Sequence, residues 1–359
     1  PYQQFEWDKY TPDPSDWIDS VHYANGRFIA VGGTTHYIGG PAGSAIIHSS
    51  TDGTNWNTYV PSRIEKLSDS SFGNDIWVAT GDDGGIFTSI DGVIWIDHSL
   101  PPTTHDLNTI VFGNDNFFAF SYNRNLIYTS SNGTTWSSFE TTNTADVLES
   151  YWLNNHLVAV GNNGCLLFSS DGYIWSSKES GTTEYLWAAA YGKGLYVVGG
   201  YFLTLCSTDG ETWTSVGVPF QVKSLVYDKG WFYAFGTSDT MLVSQDGMNW
   251  QQKPSISTVF WIPEVTVSPV GFVALCDGSM YYSRPSTNMP SLDTIDWASS
   301  QALETFGESG VPYRLNSSSN LLDWEVEGDW KSGTEDFLFW SDINTSDRHR
   351  FFRTEKQTP

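Results

Sequence analysis

Four carboxylates, Asp19, Asp106, Glu149 and Glu184, stand in polar positions from which a pair could cut a glycosidic bond. That reaction needs one protonated and one ionised carboxyl group about 5–10 Å apart. His36, His105 and Tyr37 could each act as the base of a lyase, with Arg63 or Arg124 neutralising a uronate. Trp17, Tyr37, Tyr122, Trp187, Tyr201 and Trp261 could stack on the C–H faces of sugar rings. The candidates come from different stretches of chain, so spacing singles out no catalytic pair. Cys165, Cys206 and Cys276 are far apart, with no CxxC or Cys/His metal pattern, and are expected to be buried free thiols. No metal or cofactor is expected.

What positions these residues is a repeat. Ser50-Thr51-Asp52-Gly53-Thr54-Asn55-Trp56 reads S-x-D-G-x-x-W. It returns as Ser89 to Trp95, Ser130 to Trp136, Ser169 to Trp175, Ser207 to Trp213 and Ser244 to Trp250. The acidic position falls at 52, 91, 132, 171, 209 and 246, a period of 37 to 41 residues, and only Asn132 departs from Asp. Around each copy lie apolar runs punctuated by Gly, Asn and Asp, such as Phe28 to Gly32 and Leu195 to Gly199. Four short strands per unit of about 40 residues are the signature of β-propeller blades.

Six blades carry the motif, and a seventh is cut short. Val265 to Val267, Gly271 to Leu275 and Ser279 to Ser283 supply three strands, and the chain then runs into Arg284-Pro285 where a motif should follow. Phe5 to Pro12 matches Asn55 to Pro61 around Trp, Tyr and Pro. Residues 5–11 are therefore expected to form the outer strand of blade seven and close the ring, which removes exposed sheet edges.

The repeat over residues 1–285 resembles the Asp-box, or BNR, propellers. That family includes sialidases, xyloglucan-cleaving enzymes, photosystem assembly factors and receptor ectodomains, so the resemblance implies a fold and leaves the function open. A sialidase holds its substrate carboxylate with three arginines, one in an F-R-I-P-like motif. This sequence has no such motif, which excludes that activity. The motif is read as structural: Gly supplies the positive φ of a tight turn, Asp accepts N–H bonds, and Trp fills the gap between blades.

Beyond the linker 286–293 the blade pattern stops. Tyr313-Arg314-Leu315-Asn316-Ser317-Ser318-Ser319-Asn320-Leu321-Leu322-Asp323-Trp324 and the later Phe351-Phe352-Arg353 are similar to small β-sandwich modules appended to secreted bacterial proteins. Residues 294–359 are expected to form such an accessory module, on an all-β, secreted or surface-bound monomer. Lys plus Arg is 17 and Asp plus Glu is 41, a net charge of −24. That balance disfavours nucleic-acid backbones and anionic lipid, and leaves neutral sugars, cations and basic partners. No apolar run is long enough to span a membrane as a helix.

In a propeller the motif turns share one face, and the loops over the channel mouth share the other. The longest mouth loop is expected in blade one, Gly33 to Gly43, which carries His36 and Tyr37. Aligning the first strands on Tyr23, Phe72, Phe112, Leu153, Tyr191 and Tyr227 gives a polar ring of Asp19, Ser68, Asn108, Glu149, Trp187 and Lys223. Tyr37, Arg63, Asn108, Arg124, Trp187 and Lys223 are the expected ligand-binding residues. Asp19, Glu149, His36 and His105 are the candidates for catalysis. A module that binds a glycan or an extracellular protein on the mouth face is the favoured reading. An enzyme acting on polysaccharide at the same mouth is the alternative, and an assembly scaffold the third.

Overall fold

In the computed structural model, the described residues are 5–13, 15–34, 44–61, 66–101, 105–122, 125–141, 146–256, 261–269, 271–276 and 278–285, together with six strands of the tail. Residues Phe5–Arg284 form one compact unit and the chain from Pro285 onward another. The first unit is a seven-bladed β-propeller of four-stranded antiparallel sheets. Among the described residues it contains no α-helix, and no helix long and apolar enough to cross a membrane.

The innermost strands of blades one to seven are Asp16–Ala24, Leu67–Gly73, Leu107–Gly113, Val147–Leu153, Leu186–Gly192, Val222–Asp228 and Val265–Ser268. Each leads by a tight hairpin to a second strand, then a third, and across the motif turn to a short outer one. Blade seven is completed from the other end of the chain: Phe5–Tyr10 lies outside Ser279–Pro285. The Phe5 ring sits 4.9 Å from Phe272, which anchors this closing strand.

The second strands are buried along almost their whole length, as in Phe28–Gly33 and Phe117–Ser121. A blade is covered on both faces by its neighbours, so these strands read as apolar runs with no alternation. The core is accordingly a set of seams. Ile29, Val31 and Ile47 of blade one pack on Leu67, Trp77 and Phe87 of blade two, with Trp95 closing the edge.

The motif turns repeat one hydrogen-bond pattern. Asp171 Oδ1 accepts the N–H groups of Tyr173 and Ile174 at 2.9 Å, and the Ser169 hydroxyl donates to it at 3.1 Å. Asn132 reproduces this through Oδ1, at 3.0 and 2.9 Å from the nitrogens of Thr134 and Thr135. Gly172 has φ +81°, and a Cβ there would lie 2.1 Å from the Phe118 ring, so the residue serves both the turn and the blade-to-blade contact. Trp175 Nε1 donates to the Gly172 carbonyl at 2.8 Å.

The tail forms two small antiparallel sheets. Ala302–Phe306 pairs with Phe337–Ser341. Pro312–Ser318 pairs with Glu325–Val326, Lys331–Ser332 and Phe351–Lys356. The linker 286–293 lies outside the described residues.

Candidate functional site

The innermost strand of a blade is an edge strand, and the N–H groups it turns to the channel have no ladder partner. Side chains from the neighbouring blade supply the acceptors. Asp69 Oδ2 accepts Ile110 N–H at 2.8 Å, Glu264 Oε2 accepts Val21 N–H at 3.0 Å, and Ser224 Oγ accepts Val265 N–H at 3.0 Å. These three acceptors, Asp69, Ser224 and Glu264, belong to one row of positions that also holds Ser20, Thr109, Glu149 and Ala188, read from the strand registers. Two residues further on, Ser71 and Thr266 accept the N–H groups of Phe112 and Tyr23 in the same way.

Each inner strand of blades one to six carries a β-bulge just before this row. The bulged residues are Asp19, Ser68, Asn108, Leu148, Trp187 and Lys223. The expected polar ring is therefore real in five blades and corrected in the fourth. Leu153 pairs with His156, as Gly113 pairs with Asn116, so it holds the position glycine takes in blades two, three and five. Trp152 is the true anchor, and Glu149 moves one step inward, into the row of Asp69 and Glu264.

The bulge residues mark the mouth, opposite the motif turns. Lys223 Nζ lies over the Trp187 ring, 3.0 Å from its centroid, so that ring presents a capped face where a free stacking platform was expected. Burial lowers the Lys223 pKa to about 8. Asp19 pairs with Lys66 at 3.4 Å. Asn108 donates its amide hydrogens to the carbonyls of Val147 and Leu148, at 3.2 and 2.9 Å, and thereby joins blades three and four. Its role is cross-blade bonding, where a ligand contact was expected. His105 lies in the loop before blade three's inner strand. His36, Tyr37, Arg63 and Arg124 lie outside the described residues. Among those described, no hydrogen bond or ion pair joins Asp19, Glu149 and His105.

Two halves of the mouth differ in chemistry. Tyr185, Tyr201 and Phe202 of blade five, with Trp17 and Trp261 where blades one and seven meet, are each 40% to 50% exposed. Tyr185 stacks parallel to Trp187 at 5.6 Å, and Trp17 meets Trp261 at 6.2 Å. On the other side Asp19, Asp83, Asp106 and Lys66 gather around Asp82. Burial, together with the charges of Asp106, Asp19 and Asp83, raises the Asp82 carboxyl to about 6 despite the opposing Lys66 ammonium.

Below the mouth a cavity of about 290 Å³ opens into the channel along blades four to seven. His22, Glu149, Tyr151, Lys223 and Glu264 line it, with apolar walls from Ala190 and Val226. His22 and Glu264 of this lining lie close to Asp69. His22 lies 3.5 Å from Asp69 through Nδ1 and 3.6 Å from Glu264 through Nε2, and its Nδ1 also bonds to the Ser70 carbonyl. Burial opposes a charge on His22, but the two carboxylates outweigh it and raise its pKa. Burial lifts Glu264 to about 7 against the pull of His22, and burial with the charges of Asp69 and Glu264 lifts Glu149 well above the carboxylate range. Sequence reasoning missed Asp69, Glu264 and His22. Asp69 stands two positions past its apolar anchor Leu67, one beyond the expected polar ring, whereas His22 stands four past Ile18.

Comparison with known proteins bears on the fold. No protein-family model matches the chain, and no curated protein sequence matches it. Solved structures do. YCF48 bound to a D1 peptide is 17% identical with a TM-score of 0.62, over 77% of this chain and 96% of that one. A catalytically inactive virginiamycin B lyase from Staphylococcus aureus, solved with quinupristin, is 10% identical with a TM-score of 0.66, over 78% and 99%. The WD40 propeller domain of Doa1 is 11% identical with a TM-score of 0.60, over 80% and 98%. The chain thus shares the propeller architecture with a peptide complex, a lyase and a WD40 domain.

Proposed function

We propose that the protein is a binding module whose mouth face, opposite the motif turns, takes an extended polypeptide with apolar and basic residues. The observation that carries this reading is Phe202. In the turn between second and third strands, blades two and four place Asp83 and Asn163 at φ +51°, residue types that accept a left-handed backbone. Blade five places Phe202 there at φ +57°, and the residue is 43% exposed. A bulky residue held in that conformation and turned to solvent is costly twice over, and such outliers cluster at functional sites. Tyr201 packs edge-on against it at 4.9 Å, which makes a ridge suited to apolar side chains. The acidic half of the mouth and the net charge of −24 suit basic residues beside them.

The YCF48 neighbour was solved with a peptide, which supports a polypeptide ligand without naming one. The S-x-D-G-x-x-W turns and the charge balance support an Asp-box propeller working outside the cell, and both remain part of the proposal.

Selection from a displayed random-peptide library tests the reading. Enriched peptides should combine aromatic or aliphatic residues with Lys or Arg. Tyr201→Ala and Phe202→Ala should weaken them by about tenfold or more, the range of interface aromatics. Tyr173→Ala, on the motif face, should leave them unchanged. Enrichment of acidic peptides, or equal loss from Tyr173→Ala, would reject this site. Binding to neutral oligosaccharides with no peptide selected would favour the glycan reading.

A further inference from the structure

Among the described residues, the channel cavity contains one carboxyl group whose single hydrogen bond is a long, contested one. Asp69 is fully employed: it accepts from Ser20 Oγ, Ser70 N, Thr109 Oγ1 and Ile110 N at 2.7 to 2.9 Å. Glu264 accepts Val21 N–H and faces His22. Glu149 occupies the same row and does neither. Its hydrogen bond among the described residues is to Thr109 Oγ1 at 3.5 Å. That hydroxyl has one hydrogen, and Asp69 Oδ2 and Ser150 Oγ both compete for it at 2.9 Å. Among the described residues, no ion pair reaches Glu149 either. The His22 ring lies between Asp69 and Glu264, and the Lys223 ammonium rests on Trp187.

We infer that this cavity is a binding site for an alkylammonium group, with Glu149 as its counter-ion. The shape and lining agree. A cavity of about 290 Å³ admits a chain of four or five carbons, near the lower end of ligand-site volumes. Ala190, Val226 and the Tyr151 ring would take the methylenes. The Tyr151 hydroxyl donates to the Trp187 carbonyl at 3.3 Å, which fixes the ring against one wall. The ammonium would give Glu149 the N–H donors it lacks. The acidic surface of the protein raises the local concentration of cations.

Binding moves one proton. Burial and the charges of Asp69 and Glu264, with Tyr151 beside it and His22 and Lys223 also in the lining, favour the protonated form of the free Glu149 carboxyl. Once the ammonium is seated, the carboxyl ionises and the hydrogen leaves to solvent. Affinity therefore rises with pH up to the pKa of the free carboxyl, levels off above it, and falls once the amine itself loses its charge near about 10.4.

The ammonium could belong to a free amine or to a lysine side chain, so two probes are used on the full chain: n-pentylammonium chloride and acetyl-Gly-Lys-Gly-amide. Calorimetric titration should show saturable binding of at least one. Response to the first alone assigns a free amine, and response to the peptide assigns a lysine side chain. Glu149→Gln, which keeps size and shape, should weaken binding by about tenfold or more. n-Pentanol should bind far more weakly than the amine. Independently of any variant, titration of the unaltered protein in phosphate and in Tris should reveal release of up to about one proton per amine. No saturable binding of either probe, equal binding by Glu149→Gln, or binding without proton release would each overturn the inference. None of these readouts involves the mouth ridge, so the site stands or falls apart from the polypeptide reading above.

Discussion

Asp171 and Asn132 show how little of a motif residue's chemistry is used. Both accept two backbone N–H groups through one oxygen, and the second charge-bearing oxygen of the aspartate adds no bond to the turn. Asp171→Asn keeps this acceptor and should therefore cost less than Asp171→Ala, losing only the charge that the turn N–H groups favour. Asp171→Ala should cost about 1 kcal/mol, the value of a lost cap-type acceptor, measured by thermal or urea unfolding. The carboxylates that remain make a pH signature. The N–H groups of Thr212 and Glu211 hold Asp209 down at about 2, and Asp246, bonded to Asn249 and Met248 though slightly buried, sits at about 2 as well. A folded pKa below the unfolded value of about 4 means that the stabilisation is complete above pH 4 and lost as pH falls towards 2. The melting temperature should fall through that window, and an Asp209→Asn variant should fall less steeply.

At the scale of the strand, the row of Ser20, Asp69, Thr109 and their equivalents converts an edge into a seam. Asp69 is buried and accepts four donors from three blades, so Asp69→Ala should be among the most damaging single changes, at about 3 kcal/mol. A urea unfolding series comparing it with Ser68→Ala, one residue away on the bulge, would show whether the cost belongs to the row. The same contrast explains what was legible. Blade number, ring closure and the two faces follow from local signals: a motif turn, an apolar run, a broken seventh unit. The row was not legible, because its cross-blade bonds run to groups about 40 residues away, as from Asp69 to Ile110 N–H, or across the ring closure from Glu264 to Val21 N–H. In blade four even the register was obscured, since Leu153 presents an apolar residue where glycine stands in blades two, three and five. One step of misreading placed Glu149 at the mouth, where Leu148 stands.

Over the whole molecule, charge and aromatic surface are divided, and the division sets how ligand binding should respond to salt. A basic peptide at the mouth would feel both Asp19, Asp82, Asp83 and Asp106 and the net charge of −24. Raising ionic strength from about 0.1 M to about 1 M shortens the screening length from about 10 Å to about 3 Å. Affinity for a selected basic peptide should drop several-fold across that range, read by surface plasmon resonance or fluorescence anisotropy. The melting temperature of the free protein should rise over the same range as self-repulsion is screened. Affinity that holds constant in salt would show that the aromatic ridge carries binding alone.

The joining of Phe5–Tyr10 to Ser279–Pro285 also sets a timetable for synthesis. The two partners are about 270 residues apart, so at a translation rate of about 5–20 residues per second the first strand waits about 15 to 60 seconds for its mate. During that interval it is a nascent segment of Phe5, Trp7 and Tyr10 with nothing to cover them. Glu6 and Asp8 alternate with Phe5 and Trp7, and Lys9 stands beside Tyr10. Charges at every other step guard a sticky strand against pairing with another nascent chain. A strand that must arrive first and dock last has these residues as its chaperone, and replacing Glu6 and Asp8 with Thr should lower the soluble yield of the protein.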